Sequence, residues 1–300
     1  VDGRLEVQSL DADGAWQPSQ QTAALGGTVF DRDWELATAQ RHHDLSGNVL
    51  PFQPASFRDF MLYERHAIDA ARGLVRRFHP GQARAAAAVE KLTRKPFPLF
   101  KPRPLFYRQP IYYMSNHLSF VPSGTPVAVP SYSSALDFEL EIGFVLRAPL
   151  FDASPAEALE AIGAFVVVND FSARDVQRAE MATGLGPQKS KHFVSSMSVL
   201  AVTADEILPH VDALTGSVTL NGTTVATVFS GGLQWSLGDV LAHASRDERL
   251  YPGELFAMGT LPGGSGMETG HWLRPGDRLT LTIDQIGAIS HPISTVQETP

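Results

Sequence analysis

Hydrophobic and polar residues alternate most regularly over residues 136–146, which predicts a β-strand. Asp137, Glu139 and Glu141 fall on one face of this strand, roughly 7 Å apart, and apolar residues fall on the other. Three neighbouring carboxylates repel one another, so a buried strand would need a cation beside them. A solvated face of an antiparallel sheet explains the segment equally well, and the pattern leaves both interpretations open.

The C-terminal two thirds of the chain repeats this pattern of short strands separated by Gly and Pro. Further strands are predicted over 162–168, 199–202, 217–220, 224–229, 255–259 and 278–283. Asn221-Gly222 predicts a hairpin turn between two of them. Short helices are predicted to begin at Ser154, Ser172 and Ser236, the last two with a capping signature. The fold class is therefore α+β, dominated by strands.

A longer helix is predicted over residues 54–78. Ser56 stands where an N-cap belongs, Asp59 follows three residues later, and apolar residues then recur at helical spacing. On such a helix Asp59 and His66 share one face, two turns apart. Asp59 is also explained as the capping partner of Ser56, and His66 as an exposed helix residue.

The chain divides into two predicted regions. Residues 1–52 form a small N-terminal strand-rich region without convincing chemistry, and residues 53–300 form the main domain. Residues 91–112 are rich in Pro and basic side chains. Because Pro sustains neither a helix nor a strand ladder, this segment is predicted to be a loop that serves as a linker or a lid.

Composition restricts the possible partners. The net charge of −8 disfavours nucleic acid and anionic membranes, although a local cation can still attract a small anionic substrate. The absence of cysteine excludes disulfides, thiolate catalysis and zinc–cysteine sites. The cleanest apolar run, Ala164 to Val168 with Ile162 before it, is too short to span a bilayer. We therefore expect a soluble, cytoplasmic protein that binds a small molecule.

Two further segments carry candidate chemistry. Asp170 follows the predicted strand 162–168, at a strand end where functional carboxylates collect, and a plain turn residue is the alternative. Asp175 is assigned to the capping box of the next helix. Lys191 lies in a loop after that helix and would reach a site beside it, although surface lysines are common.

The Gly-rich segment 258–270 contains Thr260 and Glu268. It is not followed by Gly-Lys-Ser/Thr, so it does not match a phosphate-binding loop. The sequence also contains no G-x-S-x-G, G-x-G-x-x-G or H-E-x-x-H motif. Serine hydrolase, Rossmann and zincin interpretations therefore have no support.

Taken in order, these segments resemble the fumarylacetoacetate hydrolase family from about residue 56 to residue 293. The matching strings are Leu136-Asp-Phe-Glu-Leu-Glu141, Asn169-Asp-Phe-Ser-Ala-Arg-Asp-Val-Gln177, Lys191-His-Phe193, Met258-Gly-Thr260 and Leu273-Arg-Pro-Gly-Asp277. The resemblance implies a mixed β-sheet roll or sandwich of the family's C-terminal type. It also implies that 53–300 is the catalytic domain and that the protein is a homodimer.

The resemblance further implies a divalent metal ion, with Mg²⁺ as the first expectation and Ca²⁺ or Mn²⁺ as alternatives. Its ligands would be Asp59, Glu139, Glu141 and Asp170. The catalytic residues would be His66 as general base, Glu268 as its partner and Lys191 near the reacting oxyanion. The implied substrate contacts are Tyr113, Arg174, Gln177 and Thr260.

The chain departs from the family pattern around the substrate. Met61 and Met181 stand where the eukaryotic fumarylacetoacetate enzymes have tyrosines. The arginine that grips the substrate carboxylate has no clear match, and the candidates are Arg72, Arg76 and Arg77. These changes leave the metal ligands intact and leave the substrate open.

The family function implied here is hydrolysis of a C–C bond in a 1,3-diketo acid or acylpyruvate by water that His66 activates. The alternatives are a decarboxylase, isomerase, hydratase or tautomerase acting on an oxaloacetate-like or dienoate substrate, and a metal-stabilised binding protein without catalysis. Hydrolysis is favoured because a hydrolase needs the pair of His66 and Glu268 to activate water.

Overall fold

The computed structural model describes residues 8–11, 14–18 and 47–295. Most of the predicted N-terminal region 1–52 lies outside these residues, so its boundary stays a prediction. Within it, strands β1 (Gln8–Leu10) and β2 (Trp16–Pro18) pair antiparallel. No helix in the described ranges is long and apolar enough to cross a membrane.

The main domain contains short strands and helices in alternation. Its strands are β3 Ser56–Phe60, β4 Tyr112–Ser115, β5 Phe120–Pro122, β6 Val127–Ala128, β7 Leu136–Asp137, β8 Leu140–Leu146, β9 Ile162–Asn169, β10 Ser172–Ala173, β11 Ser195–Met197, β12 Val202–Thr203, β13 Thr215–Leu220, β14 Thr223–Phe229, β15 Glu254–Ala257, β16 Arg278–Ile283 and β17 Gly287–Ser294. Its helices are α1 Glu64–Phe78, α2 Pro80–Thr93, α3 Pro155–Glu160, α4 Arg174–Ala182, α5 Ala204–Ile207, α6 Leu237–Ala244 and α7 Gly266–Thr269.

The larger sheet is strongly curled. Its strands follow the order β4-β3-β15-β8-β9-β11-β5, with β12 beside β9, and two of its pairs are parallel. Strands β4 and β5 lie at opposite edges, yet only residues 116–119 connect them, a span of at most roughly 19 Å. The rings of Phe57 on β3 and Phe120 on β5 touch at 5.0 Å between centroids. The face that carries Phe57 and Phe120 is therefore concave.

Apolar residues cover both faces of this sheet. Phe57, Val145 and Val168 belong to a small cluster on the concave face. On the convex face, Phe144 and Phe256 belong to the main core, which also includes apolar residues of the second sheet, β14-β13-β16-β17-β6. The fold is thus a sandwich of mixed sheets, which confirms the predicted fold class.

The predicted helix over 54–78 is wrong in its first third. Residues Ser56–Phe60 form β3, paired with β15 and β4, and α1 begins only at Glu64. Both faces of β3 are buried, so its sequence lacks the clean alternation of a half-exposed strand. Ser56 donates to Glu254 and caps no helix. Asp59 therefore lies on a strand, and the capping interpretation of this residue is wrong.

Other local predictions had mixed outcomes. The predicted capping box at Ser236 is present, and the helix predicted from Ser154 also has one, which was not predicted. Asn221 and Gly222 both have positive φ in the predicted turn. By contrast, Ser172 lies in β10, and α4 begins at Arg174 without a side-chain cap. The predicted capping box of Asp175 is wrong; its carboxylate accepts from Ser133 and Ser134 instead.

The Pro-rich segment 91–112 is mainly irregular, as predicted. Helix α2 extends into it as far as Thr93, and β4 begins at Tyr112. Between them lie two 3-10 turns, Pro98–Phe100 and Pro104–Tyr107. The lid role stays a prediction. The predicted strand 199–202 is wrong except for Val202, which begins β12, because residues 198–201 form the break between β11 and β12.

Candidate active site

Three carboxylates meet on the concave face of the larger sheet. Asp59 and Glu141 stand on β3 and β8, which both flank β15, and Asp170 follows the end of β9. Ala257 on β15 pairs with Asp59 on one side and Gly143 on the other, which brings the two acidic strands into register. One carboxylate oxygen of each acid lies within 4.8 Å of the others.

The three acids suit a hard divalent cation. All are buried, and Asp59 Oδ1, Glu141 Oε2 and Asp170 Oδ1 have no hydrogen-bond partner in the part of the chain that the structure describes. Burial raises the pKa of Asp59 and Glu141, and repulsion between the acids raises both further. Burial also raises the pKa of Asp170, although Lys191 opposes the increase. Convergent, unpartnered carboxylate oxygens are the ligands that Mg²⁺, Mn²⁺ and Ca²⁺ prefer.

Glu139, the fourth predicted ligand, lies beside the three acids and is paired with cations. Its Oε1 accepts from Arg174 at 2.7 Å, and its Oε2 accepts from Lys191 Nζ. Burial alone would raise the pKa of Glu139, but Arg174 and Lys191 bring it well below its usual value. All three carboxylates of the alternating segment are buried, so a solvated strand face is wrong. The ligand role of Glu139 stays a prediction.

Lys191 connects Glu139 to Asp170, one of the three clustered acids. Its buried Nζ donates to both Glu139 and Asp170. Burial lowers the pKa of Lys191, but the two carboxylates raise it by more, so the amine stays charged. Glu180 on α4 holds the loop before Lys191, because its carboxylate accepts from the backbone N–H groups of residues 188–190 and from Ser190 Oγ.

His66 and Glu268 form a second buried pair next to these groups. His66 Nδ1 lies 3.0 Å from Glu268 Oε2, and its Nε2 lies 3.9 Å from Glu139 Oε1. Burial lowers the pKa of His66, but Glu268 and Glu139 together raise it by more, and the net shift is upward. Helix α7, which carries Glu268, packs closely against α1 at Gly73. A Cβ at this position would lie only 1.8 Å from the backbone oxygen of Met267, so the approach depends on glycine here.

The four predicted substrate contacts lie around the same cluster. Tyr113, the β4 partner of Asp59, donates to Asp170 at 2.5 Å. Thr260 donates to Glu141 at 3.1 Å. The guanidinium of Arg174 is buried and donates to Asp137, Glu139 and Gln177.

The three candidates for a carboxylate-gripping arginine have other contacts. Arg72 pairs with Asp69 and Glu90, and Arg77 lies over the ring of Trp272. Arg76 donates to the backbone oxygen of Glu268 at 2.9 Å, so it reaches the segment beside His66. Met61 and Met181, at the two positions that depart from the family pattern, are exposed.

Sequence reasoning missed two acids that hold the site. Asp137 was recognised only as part of the alternating strand, yet it is fully buried and binds Arg174. Its place two residues before Glu139 was an available signal. Glu180 had no signal in the sequence, because its partners lie eight to ten residues further along the chain in an irregular loop.

The curled mixed sheet thus carries a buried acidic cluster suited to a divalent cation, with a His–Glu pair beside it. The family model "Fumarylacetoacetate (FAA) hydrolase C-terminal" matches residues 80–294. The protein therefore belongs to the fumarylacetoacetate hydrolase family, as the motifs indicated.

Relatives in this family carry different activities. The chain is 29% identical over 177 residues to the mitochondrial oxaloacetate tautomerase fahd2 of Xenopus laevis, covering 58% of this chain and 55% of that protein. It is 29% identical over 170 residues to a 2,4-didehydro-3-deoxy-L-rhamnonate hydrolase of Sphingomonas sp. strain SKA58, covering 56% of this chain and 59% of that protein. The chain thus spans little more than half the length of these curated relatives.

The fold has solved counterparts. A fumarylpyruvate hydrolase of Pseudomonas aeruginosa, solved with Mn²⁺ and pyruvate, superposes with a TM-score of 0.62 at 19% identity, covering 85% of this chain and 94% of that one. At this identity the similarity establishes the shared fold.

Proposed function

We propose that the protein is a metal-dependent hydrolase that cleaves a C–C bond in a 1,3-diketo acid or acylpyruvate. The observation that carries the proposal is the buried pair of His66 and Glu268, which adjoins an acidic cluster suited to a divalent cation. Such a pair beside such a cluster provides a base for water and a place to orient an anionic keto acid. We also propose a homodimer, as the family resemblance implies.

Asp59, Glu141 and Asp170 would hold the ion, with Glu139 as a further candidate ligand. We propose Mg²⁺ first, and Mn²⁺ or Ca²⁺ as alternatives. When bound, such an ion supplies Lewis-acid polarisation of substrate oxygens and fixes their orientation.

His66 acts as the general base in this proposal. Glu268 lies at Nδ1, so it fixes the tautomer that leaves Nε2 free to accept a proton from water, and it stabilises the imidazolium that forms. The water oxygen then bonds to the distal carbonyl carbon, whose oxygen becomes an oxyanion. Lys191, charged at neutral pH, is the proposed donor to that oxyanion.

Collapse of the oxyanion breaks the C–C bond and leaves a carboxylic acid. The electron pair of that bond goes to the pyruvate-like fragment, which takes back the proton from His66. Tyr113 and Thr260 keep neighbouring acids in place through their hydrogen bonds, and both are proposed to contact the substrate.

A second candidate function is tautomerisation or decarboxylation of an oxaloacetate-like acid, and it is favoured by the relatives named oxaloacetate tautomerases. In that function His66 would move a proton between carbon and oxygen of the substrate, with no attack by water. The same acidic cluster would serve both functions, so products have to distinguish them.

Incubation of the purified protein with acylpyruvates and with oxaloacetate, in Mg²⁺ and in EDTA, tests the proposal when products are identified by NMR. Pyruvate plus a free carboxylic acid, formed only with metal, is the expected result. His66→Gln should abolish this cleavage without weakening metal binding, whereas His243→Gln on α6 should leave both unchanged. Conversion of oxaloacetate alone would favour the second function, and no turnover of either substrate would contradict both.

A further inference from the structure

Asp137 is a buried acid that the proposed chemistry does not use. It is the last residue of β7, and its side chain is 0% exposed. Its Oδ1 accepts from the backbone N–H of Phe138 at 2.8 Å. Its Oδ2 accepts from Arg174 Nε at 2.8 Å and from the backbone N–H of Met267 at 3.0 Å. One oxygen atom therefore joins α4 to α7.

The contact on the α7 side fixes the segment that carries Glu268. Met267 directly precedes Glu268, and Gly266 lies against the same carboxylate. A Cβ on Gly266 would stand 2.4 Å from Asp137 Oδ1, so the backbone of α7 approaches as closely as packing allows. Any displacement of Asp137 would therefore move the start of α7.

The contact on the α4 side fixes Glu139. Arg174 uses Nε for Asp137 and Nη2 for Glu139, which in turn binds Lys191. Acids and cations alternate along this buried chain of four side chains. Loss of one member would leave a buried charge without its partner, which is far more costly than loss of an exposed pair.

The two ends of this arrangement meet at His66. Glu268 Oε2 faces Nδ1 at 3.0 Å, and Glu139 Oε1 faces Nε2 at 3.9 Å. We propose that Asp137 is a positioning residue, which sets the distance between Glu268 and Glu139 and so aligns both nitrogens of His66. The catalytic consequence rests on the proposed function, whereas the alignment itself can be tested without turnover.

Asp137→Asn is the test, because all three groups facing the carboxylate are N–H donors and an amide offers only one oxygen to them. We expect kcat to fall roughly tenfold to hundredfold while KM changes by less than about threefold, since the side chain would touch no substrate. We also expect loss or displacement of the NMR signal of the His66 Nδ1 proton, which faces Glu268 Oε2 at 3.0 Å, a signal identified by its absence in His66→Gln.

Glu254→Gln is the matched control, since Glu254 is a buried acid near an arginine, Arg58, on the convex side of β3. It should lower the thermal midpoint and leave both kcat and the ring-proton signal unchanged. If Asp137→Asn does not fold, Gly266→Ala displaces α7 from an intact Asp137 and should alter the same signal.

A folded Asp137→Asn protein with the wild-type signal and kcat would overturn the proposal, and so would an equal loss in Glu254→Gln. If the wild-type protein cleaves no acylpyruvate, the proposed function fails, and the ring-proton signal still decides whether Asp137 aligns His66.

Discussion

Glu141→Gln should stabilise the protein without metal and destabilise it relative to wild type with metal. Glu141 lies within 4.8 Å of two other buried carboxylates, and its Oε2 has no partner among the described residues. The amide keeps an oxygen for the hydrogen bond from Thr260 and removes one negative charge from the group. Metal-free wild-type protein therefore carries a repulsion that the variant lacks.

The size of this effect follows from Coulomb's law. At 4.8 Å and an effective dielectric constant of about 20, each ionised pair costs roughly 3.5 kcal/mol. Partial protonation and the charge of Lys191 reduce the repulsion, so we expect a net stabilisation of about 2 kcal/mol. In a domain of this size this raises the melting temperature by about 4–8 °C.

The pH dependence has a defined sign. The pKa of Glu141 is raised in the folded state by burial and by Asp59, so folded protein retains a proton that unfolded protein releases. The associated stability is present at low pH and is lost as pH rises from the unfolded value near 4.5 through the raised folded pKa. Metal-free wild type should therefore lose stability as pH rises above the unfolded value near 4.5, and Glu141→Gln should lose less.

Thermal melts in EDTA and in excess Mg²⁺ or Mn²⁺ measure both effects. An ion at 100 times its Kd stabilises wild type by about 2.7 kcal/mol, and the variant should gain much less. Glu254→Gln, which removes a buried acid that binds Ser56, should lower stability equally in both buffers. The reasoning is refuted if Glu141→Gln melts below wild type in EDTA by as much as Glu254→Gln, or if it keeps the full response to metal.

Three further predictions concern the groups around the acids. Glu268→Gln should move the ascending limb of the pH–rate profile to lower pH. Glu268 raises the pKa of His66 against the effect of burial, and His66 acts as a base only when it is neutral. An unchanged ascending limb would contradict this role of Glu268. Lys191→Met should lower turnover roughly hundredfold. It should also tighten Mn²⁺ binding measured by calorimetry, because the substitution removes a positive charge beside Asp170. Weaker Mn²⁺ binding would contradict this electrostatic argument. Glu180→Gln should reduce kcat with little change in metal affinity, because it loosens the loop that presents Lys191; equal loss of both would indicate general unfolding.

The motifs of the site could be predicted from the sequence because most of its acids sit at element ends or alternate along one strand. Asp59 was assigned to the right cluster through the wrong element. A Ser-x-x-Asp spacing fits a capping box, but the strands β4 and β15 lie on both sides of these residues and hold them extended. Tertiary pairing of this kind overrides a local signal and cannot be seen in one segment.

The pairing of charges could not be predicted for a similar reason. Lys191 meets Glu139, 52 residues away, and Arg174 meets Asp137, 37 residues away. A short loop lysine and a helix-initial arginine look like surface residues until the curled sheet brings the ends of β7, β9 and α4 together. Once buried, each carboxylate needs the positive charge of its neighbouring cation to offset the cost of losing its hydration.

The break in the alternating segment explains why Glu139 and Glu141 have different surroundings. Strand β7 ends at Asp137 and β8 begins at Leu140, so Glu139 stands between the two strands. It turns to Arg174 and Lys191, while Glu141 stays within the sheet and faces Asp59 and Asp170. Asp137 and Glu139 thus pair with the buried cations Arg174 and Lys191, and Asp170 shares Lys191. Within the described residues, Asp59 and Glu141 form no ion pair. A divalent cation would balance this excess of buried acids, which is the physical basis of the proposed metal site.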